Sequence, residues 1–235
     1  MLIVQAAAVP GPPASDPLTA CRDAAQPALD AARQLVLRGD DAGAQRELEA
    51  EALRIDERCP ILQLAAIALS GWQEARALAP KGGARELLDP VTKAAEALAP
   101  FKELPDLRLE AEYAEAALRA AVAAAQDERP EMELLLGHLR DLAERLAARG
   151  QRPQWPRSFN LLDGELWFEV DRYETARLAF ARAAQDEPSP LALVGLARAE
   201  ARLGRREEAC ATLRRAGLAS VRLLELAARE IPRCR

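Results

Sequence analysis

Apolar residues recur along this chain at the spacing of an α-helix. In the C-terminal third, for example, Ala176, Phe180 and Ala183 stand at positions i, i+4 and i+7 and so share one helical face. Valine and isoleucine nowhere alternate with polar residues over a stretch long enough for a half-buried strand. Alanine, leucine, glutamate and arginine, which favour helices, dominate the composition. The sequence therefore predicts an all-α fold.

The same apolar pattern returns further along the chain. Sliding the segment by 33 residues brings small, large and small apolar residues into register again, at Ala209, Leu213 and Ala216. A third copy, which begins after Gly39, keeps the first two positions and has Glu51 at the third. We interpret this recurrence as an internal repeat of helical hairpins, each about 34 residues long.

Glycine turns and first-turn prolines indicate where the other hairpins begin and end. Gly39 and Gly150 are placed to end helices, and prolines precede several apolar stretches. We predict hairpins at residues 17–55, 60–98 and 105–148, and about ten or eleven helices in the whole chain.

Residues 157–190 carry the most specific motif. Its positions are filled, in order, by Gly164, Trp167, Tyr173, Ala176, Phe180, Ala183 and Pro188. In this arrangement the segment resembles the tetratricopeptide family of helical repeats. The resemblance implies a solenoid of stacked hairpins, in which small residues such as Gly164 let the two helices of a hairpin approach closely. The aromatic residues of the motif would fill the space between successive hairpins.

We divide the chain into three parts on this interpretation. Residues 1–16 are a leader or signal remnant with a proline-rich linker, residues 17–150 a divergent hairpin lobe, and residues 151–235 the tetratricopeptide-like repeats with a C-terminal capping helix. The proline-rich loop after Gly150 separates the two helical parts, which leaves open one continuous superhelix or two lobes. The short apolar start of the leader is either a truncated secretory signal or a disordered tail.

The charge balance and the missing motifs exclude several classes of function. The chain has 37 acidic and 32 basic residues and a formal net charge of −5, whereas proteins that bind nucleic acid usually have a basic excess or a basic face. No run of about 18 uninterrupted apolar residues occurs, so we predict no membrane span. Phosphate-binding loops, nucleophile elbows and metal-ligand spacings are missing too, so we predict no cofactor, no metal and no catalytic residue.

The cysteines bear on the cellular compartment. Cys21 and Cys59 begin successive predicted hairpins, and the first helices of stacked hairpins lie side by side. Cys210 lies early in a second helix, and Cys234 follows a helix that should run antiparallel to it. Of the three possible pairings, this topology favours Cys21–Cys59 with Cys210–Cys234, and the alternative is four buried free thiols. Bridges favour an exported, periplasmic bacterial protein, and free thiols a cytoplasmic one.

Charged residues of two first helices are candidates for the partner-binding groove. The resemblance implies that first helices line the groove, which places Glu165 and Glu169 there, with Arg198 and Arg202 on the next first helix. Their shared one-turn spacing predicts cross-helix ion pairs rather than an acid/base pair. Trp155, in the loop between the two helical parts, is the tryptophan best placed to contact a partner.

The expected function is a non-enzymatic scaffold that binds a peptide or protein partner through a helical-repeat groove. One alternative is a helical enzyme or small-ligand domain whose site is assembled from distant helices. A closed pocket with a desolvated carboxylate would favour it. The other alternative is a structural segment that assembles with copies of itself.

Overall fold

A computed structural model of the protein describes residues 17–55, 59–78, 84–153, 155–217, 221–231 and 234. In this part of the chain there are eleven α-helices and no strand, which confirms the all-α prediction. The helices are α1 Pro17–Leu37, α2 Asp41–Arg54, α3 Pro60–Leu78, α4 Ala84–Lys102, α5 Arg108–Ala125, α6 Arg129–Ala148, α7 Phe159–Glu169, α8 Tyr173–Asp186, α9 Pro190–Arg202, α10 Arg206–Arg215 and α11 Val221–Glu230. The predicted leader, residues 1–16, lies outside the described residues.

Consecutive helices pack against each other as hairpins. Helix α1 packs on α2, α3 on α4, α5 on α6, α7 on α8 and α9 on α10, while α11 packs on α9. Most second helices also contact the first helix of the following hairpin, and the first helices α1, α3, α5, α7 and α9 contact one another in series. The hairpins predicted at residues 17–55, 60–98 and 105–148 correspond to the first three pairs of helices.

The same turn closes four of these hairpins. In each, a residue with a positive φ follows the first helix, and the N–H of the next residue donates to the carbonyl oxygen five residues earlier. This is the 6→1 hydrogen bond of the Schellman motif. The residues with positive φ are Gly39, Asp127, Asp171 and Gly204. The turn therefore recurs where the sequence has no glycine, because aspartate enters the left-handed region more readily than most residues.

Phe180 of α8 is wedged between the first helices of two successive hairpins. Its ring is buried, at 3% exposure, and lies against Gly164 of α7 and Gly195 of α9. A Cβ atom at Gly164 would lie 2.7 Å from the Phe180 ring, and one at Gly195 would lie 2.5 Å from it. The backbones can approach the ring this closely only because neither position has a side chain. The sequence motif included Gly164 but not Gly195.

The other residues of the repeat motif differ in burial. The alanines Ala176, Ala183, Ala209 and Ala216 are buried, whereas Trp167, Tyr173 and Leu213 are half-buried. Trp167 packs against both of the larger hydrophobic clusters of the protein. The alanines of the pattern are thus buried, and Trp167 and Leu213 each pack against two clusters.

The N-terminal hairpin also contacts the C-terminal helices. Leu37, at the end of α1, belongs to the same hydrophobic cluster as Leu161 of α7 and Leu223 of α11. Arg33 of α1 donates to Glu187, just after α8, at 2.7 Å. The first hairpin of the stack therefore contacts the C-terminal helices, and buried contacts link the two helical parts of the chain.

Two disulfides join the cysteines in the predicted pairs. Cys21 of α1 is bonded to Cys59, the residue before α3, with a Cα–Cα distance of 5.4 Å. Cys210 of α10 is bonded to Cys234, with a Cα–Cα distance of 5.2 Å. The predicted pairing is confirmed, and the first bridge connects two first helices that lie side by side in the stack.

The first testable prediction concerns Phe180. Phe180→Ala should lower the free energy of unfolding by about 3–5 kcal/mol, because it leaves a cavity between α7, α8 and α9. Leu178 of the same helix is 46% exposed and supplies the matched control. Leu178→Ala should change stability by no more than about 0.5 kcal/mol. Urea denaturation followed by circular dichroism measures both variants, and equal stabilities would contradict the packing described for Phe180.

The second prediction concerns the Cys21–Cys59 bridge. Replacing both cysteines with serine should lower the free energy of unfolding by about 2–4 kcal/mol, because the unfolded chain loses a cross-link. Urea denaturation under oxidising conditions measures the difference from the wild type. The difference should shrink in a strong reductant, where neither protein has the bridge. A difference that persists undiminished after complete reduction would show that the serines, and not the missing cross-link, cause it.

Candidate functional site

The loop between α6 and α7 lies across the surface formed by α1, α3 and α5, which we call the inner face. Trp155 of this loop is 6% exposed and belongs to the hydrophobic core that helices α1 to α7 share. Trp155 was expected to contact a partner, but its ring is not exposed. The structure buries the indole because the loop folds inward between hairpins rather than outward into solvent.

Arg157 of the same loop anchors it to helices on several sides. Its guanidinium donates to Asp41 Oδ2 at 2.6 Å and to Glu165 Oε1 at 3.5 Å, and the side chain is 4% exposed. Its backbone carbonyl accepts a hydrogen bond from the Tyr113 hydroxyl at 3.0 Å. Burial alone would lower the pKa of this guanidinium, but Asp41 and Glu165 outweigh burial and raise it. Arg157 is therefore a permanent buried cation with two carboxylate partners.

Trp72 of α3 lies beneath this cation. The guanidinium carbons of Arg76 and Arg157 lie 5.6 and 5.7 Å from the centre of its ring, a distance at which a cation is attracted to the π face. Arg76 also donates to Glu169 of α7 at 2.8 Å. Two groups of ion pairs, Asp41–Arg157–Glu165 and Arg76–Glu169, thus link α2, α3 and α7 beside Trp72.

The ion pairs expected between neighbouring first helices are not formed by the two glutamates. Glu165 pairs with Arg157 and Glu169 with Arg76, both on elements that precede them in the chain. Arg198 and Arg202 instead stack on the Phe168 ring, at 4.3 and 6.0 Å from its centre. The prediction of these pairs was wrong. It considered only the neighbouring first helix as a source of partners, whereas Glu165 pairs with the loop before α7 and Glu169 pairs with α3.

A cavity of about 310 Å³ remains on the inner face beside this loop. We call it the Arg22 cavity. Helices α1, α3 and α5 form three of its sides, and the loop between α6 and α7 forms the fourth. Arg22 Nη2 lies 3.7 Å from Glu110 Oε1, within ion-pair distance but beyond a hydrogen bond. Burial raises the pKa of Glu110, and the positive charge of Arg22 opposes that rise. The cavity therefore combines a guanidinium with a desolvated carboxylate.

A second, larger opening lies on the other side of the loop. This cleft of about 690 Å³, which we call the Phe159 cleft, is bounded by α1, α6, α8 and the residues that lead into α7. Four arginines from four different elements line it, namely Arg33, Arg140, Arg152 and Arg182. The Arg140 guanidinium carbon lies 5.5 Å from the centre of the Phe159 ring. The cleft thus combines an aromatic ring, packed against one guanidinium, with three further arginines in its lining.

Two of these arginines form ion pairs with carboxylates. Arg33 pairs with Glu187, and Arg182 pairs with Asp163 at 3.1 Å. Burial raises the pKa of Asp163, and Arg182, the Trp167 side chain and the charge of Arg140 act in the opposite direction. Within the described part of the chain, Arg140 and Arg152 make no ion pair. The arginines of the cleft without an ion pair therefore lie on its α6 and loop sides.

Sequence reasoning missed most residues of these two openings. A weak signal for Arg22 was present, because it directly follows Cys21, whose bridge fixes its position beside α3. No local signal distinguished Arg140 or Arg152 from the many other surface arginines. Their grouping depends on where the loop between α6 and α7 lies, and helical periodicity contains no information about that loop.

Among the described residues, no three potential ligands from His, Cys, Asp and Glu come close enough together to hold a metal ion. His138, the single histidine of the chain, is exposed on α6. None of the described helices combines the length and the apolar character needed to cross a bilayer.

No protein-family model matches the chain, and neither the curated proteins nor the solved structures include a significant match. The function of the two openings therefore has to be inferred from their own geometry and charge. The tetratricopeptide resemblance remains an interpretation of the sequence motif.

The third prediction follows from the burial of Glu110. Its pKa is raised above the ordinary value of 4.5 in the folded protein, so the folded protein binds more protons than the unfolded chain at pH values just above 4.5. Ionisation of Glu110 consequently reduces stability as the pH rises through this range. Glu110→Gln should therefore gain stability relative to the wild type as the pH is raised from 4.5 to neutrality.

Urea denaturation of both proteins at a series of pH values measures this difference. The substituted amide does not titrate, so its own effect on stability is the same at every pH. The direction in which the stability difference changes with pH therefore depends on the ionisation of Glu110. A difference that stays flat, or that falls with rising pH, would show that the carboxyl group of Glu110 is not desolvated in solution.

Proposed function

We propose that this protein is a non-enzymatic binding scaffold that holds an acidic, extended segment of a partner protein in the Phe159 cleft. The observation that carries the proposal is the convergence of four arginines, from α1, α6, α8 and the connecting loop, on one cleft that also contains Phe159, whose ring lies against Arg140. An aromatic ring and several guanidinium groups are the side chains that contribute most at protein interfaces.

The distribution of charge within the cleft favours an acidic partner. Four arginines and the carboxylates Glu144, Asp186 and Glu187 line the cleft, and Asp163 pairs with Arg182, so the positive and negative groups are equal in number. Arginines that form no ion pair among the described residues attract acidic partners and orient them as they approach. Arg140 and Arg152, which make no ion pair among the described residues, are the two groups expected to meet the partner's carboxylates.

The architecture supports a scaffold as well. Stacked helical hairpins of the kind implied by the tetratricopeptide resemblance offer extended binding surfaces. The recurring Schellman turn and the Phe180 wedge are features of such a stack. The inner face of the first hairpins is filled by the loop that contains Trp155 and Arg157, so binding is proposed in the cleft beside that loop rather than along an open groove.

The same proposal includes a location outside the reducing cytoplasm. Both pairs of cysteines are joined, and disulfides persist mainly in secreted and periplasmic proteins. The two bridges are compatible with an exported protein. Mass spectrometry of the protein from its native source, without reduction, determines whether the cysteines are bonded in the cell.

The fourth prediction tests the cleft with peptides. Selection of a displayed random-peptide library on the oxidised protein should enrich sequences rich in aspartate and glutamate, because Arg140 and Arg152 form no ion pair among the described residues and can bind carboxylates. For a synthetic peptide from that selection, Arg140→Ala with Arg152→Ala should weaken binding about tenfold, equivalent to about 1.4 kcal/mol. Fluorescence polarisation measures the affinity, which should also fall as salt is added.

A matched control uses two exposed arginines of α10 that do not line the cleft, through the double variant Arg214→Ala with Arg215→Ala. It removes the same net charge, so a loss that depends only on overall charge would appear in both double variants. Enriched peptides without acidic residues, or equal losses in the two variants, would contradict the proposed site.

A further inference from the structure

The Arg22 cavity contains buried polar atoms without hydrogen bonds. Arg22 Nη2 and Gln151 Oε1 are both buried, and neither makes a hydrogen bond to the described residues. Leaving a buried polar group without a hydrogen bond costs on the order of 1–3 kcal/mol, so such groups usually bind water or a ligand. Here a donor and an acceptor without such hydrogen bonds line the same cavity.

The charged groups of the cavity are arranged for a molecule with two opposite charges. Arg22 presents a guanidinium, and Glu110, on the facing helix α5, presents a carboxylate 3.7 Å away, too far for a hydrogen bond between them. A ligand carboxylate fits the guanidinium, which binds carboxylates through paired N–H donors. A ligand ammonium fits Glu110, with Gln151 Oε1 as a second acceptor in the same cavity.

One side of the cavity is apolar, and Gln26, Tyr113 and Arg152 are among the residues that line the remainder. Leu29 of α1, Ile61 and Leu64 of α3, and Trp155 of the loop are all buried side chains that line the apolar side. The cavity volume of about 310 Å³ is at the lower end of the range for small-ligand sites. The space therefore suits a short apolar group attached to a compact charged head, rather than a cofactor or a long peptide.

From this combination we propose that the Arg22 cavity binds a zwitterionic α-amino acid with an apolar side chain. The carboxylate would be held by Arg22, the ammonium by Glu110 and Gln151, and the side chain by the apolar residues of α1 and α3. The site shares the wall formed by Arg152 and Pro153 with the Phe159 cleft, but none of its proposed ligand contacts belongs to that cleft, so amino-acid binding is tested independently of partner binding.

The Cys21–Cys59 disulfide supports the site structurally. Arg22 follows Cys21 in the chain, and Ile61 lies two residues after Cys59, so the bridge fixes two walls of the cavity relative to each other. A binding site is more selective when its first contacts are held in place before the ligand arrives. Ligand binding should accordingly be measured on the oxidised protein.

The test is isothermal titration calorimetry of the full, oxidised chain with L-leucine and L-phenylalanine as probes, compared with three altered molecules. N-acetyl-L-leucine removes the ammonium, L-leucinamide removes the carboxylate, and glycine lacks the apolar side chain. At least one of the two probes should bind, and each of the three altered molecules should bind at least tenfold more weakly. Absence of binding by both probes at millimolar concentration, or equal binding of the altered molecules, would overturn the proposal.

Variants of the cavity give a second, independent measurement. Arg22→Gln and Glu110→Gln each keep a polar side chain while removing one charge, and each should weaken the binding of L-leucine at least tenfold. Arg119→Gln, an exposed position on α5 outside the cavity, should leave it unchanged. Circular dichroism checks that each variant is folded. If a variant does not fold, the comparison of altered ligands on the wild type still decides the outcome.

Discussion

A buried positive charge fixes the arrangement of this fold. The side chain of Arg157 is almost fully enclosed, and its charge is balanced by Asp41 at the start of α2 and Glu165 in α7. Removing one partner from such a pair leaves an uncompensated charge in the interior, which is strongly destabilising. The loop that contains Arg157 can therefore adopt this position only when α2 and α7 are packed against it. Tyr113 of α5 adds a hydrogen bond to the backbone of the same residue.

This constraint changes what a stack of helical hairpins presents to solvent. First helices packed in series would leave their shared surface exposed, but here the loop between α6 and α7 enters it and buries Trp155 among α1, α3 and α5. The surface is consequently divided into separate openings rather than one continuous groove. The contact of α1 with the C-terminal helices, through Leu37 and the Arg33–Glu187 pair, closes the arrangement further.

The features that could be predicted from the sequence are those with local or topological causes. The helices follow from apolar periodicity and from glycine turns such as Gly39, and the disulfide pairs follow from the order in which hairpins stack. The partners of Glu165 and Glu169 could not be predicted, because Arg157 comes from a non-helical loop and Arg76 from a helix 93 residues away. Likewise, Asp41 and Arg157 are 116 residues apart, and no spacing rule connects them. Long-range charge pairing had to be observed in the folded chain.

The position of the loop also relates the two openings to each other. Arg152 and Pro153 line both the Arg22 cavity and the Phe159 cleft, so this part of the loop is a wall that the two openings share. Ligands at two sites influence each other only when an element between the sites has two conformations and each ligand binds one of them more tightly. The far end of the loop is held by the buried Trp155 and Arg157 and is poorly suited to such a change. Coupling between the openings would therefore act through Arg152, which is exposed, and Pro153, which is half-buried, since these residues line both.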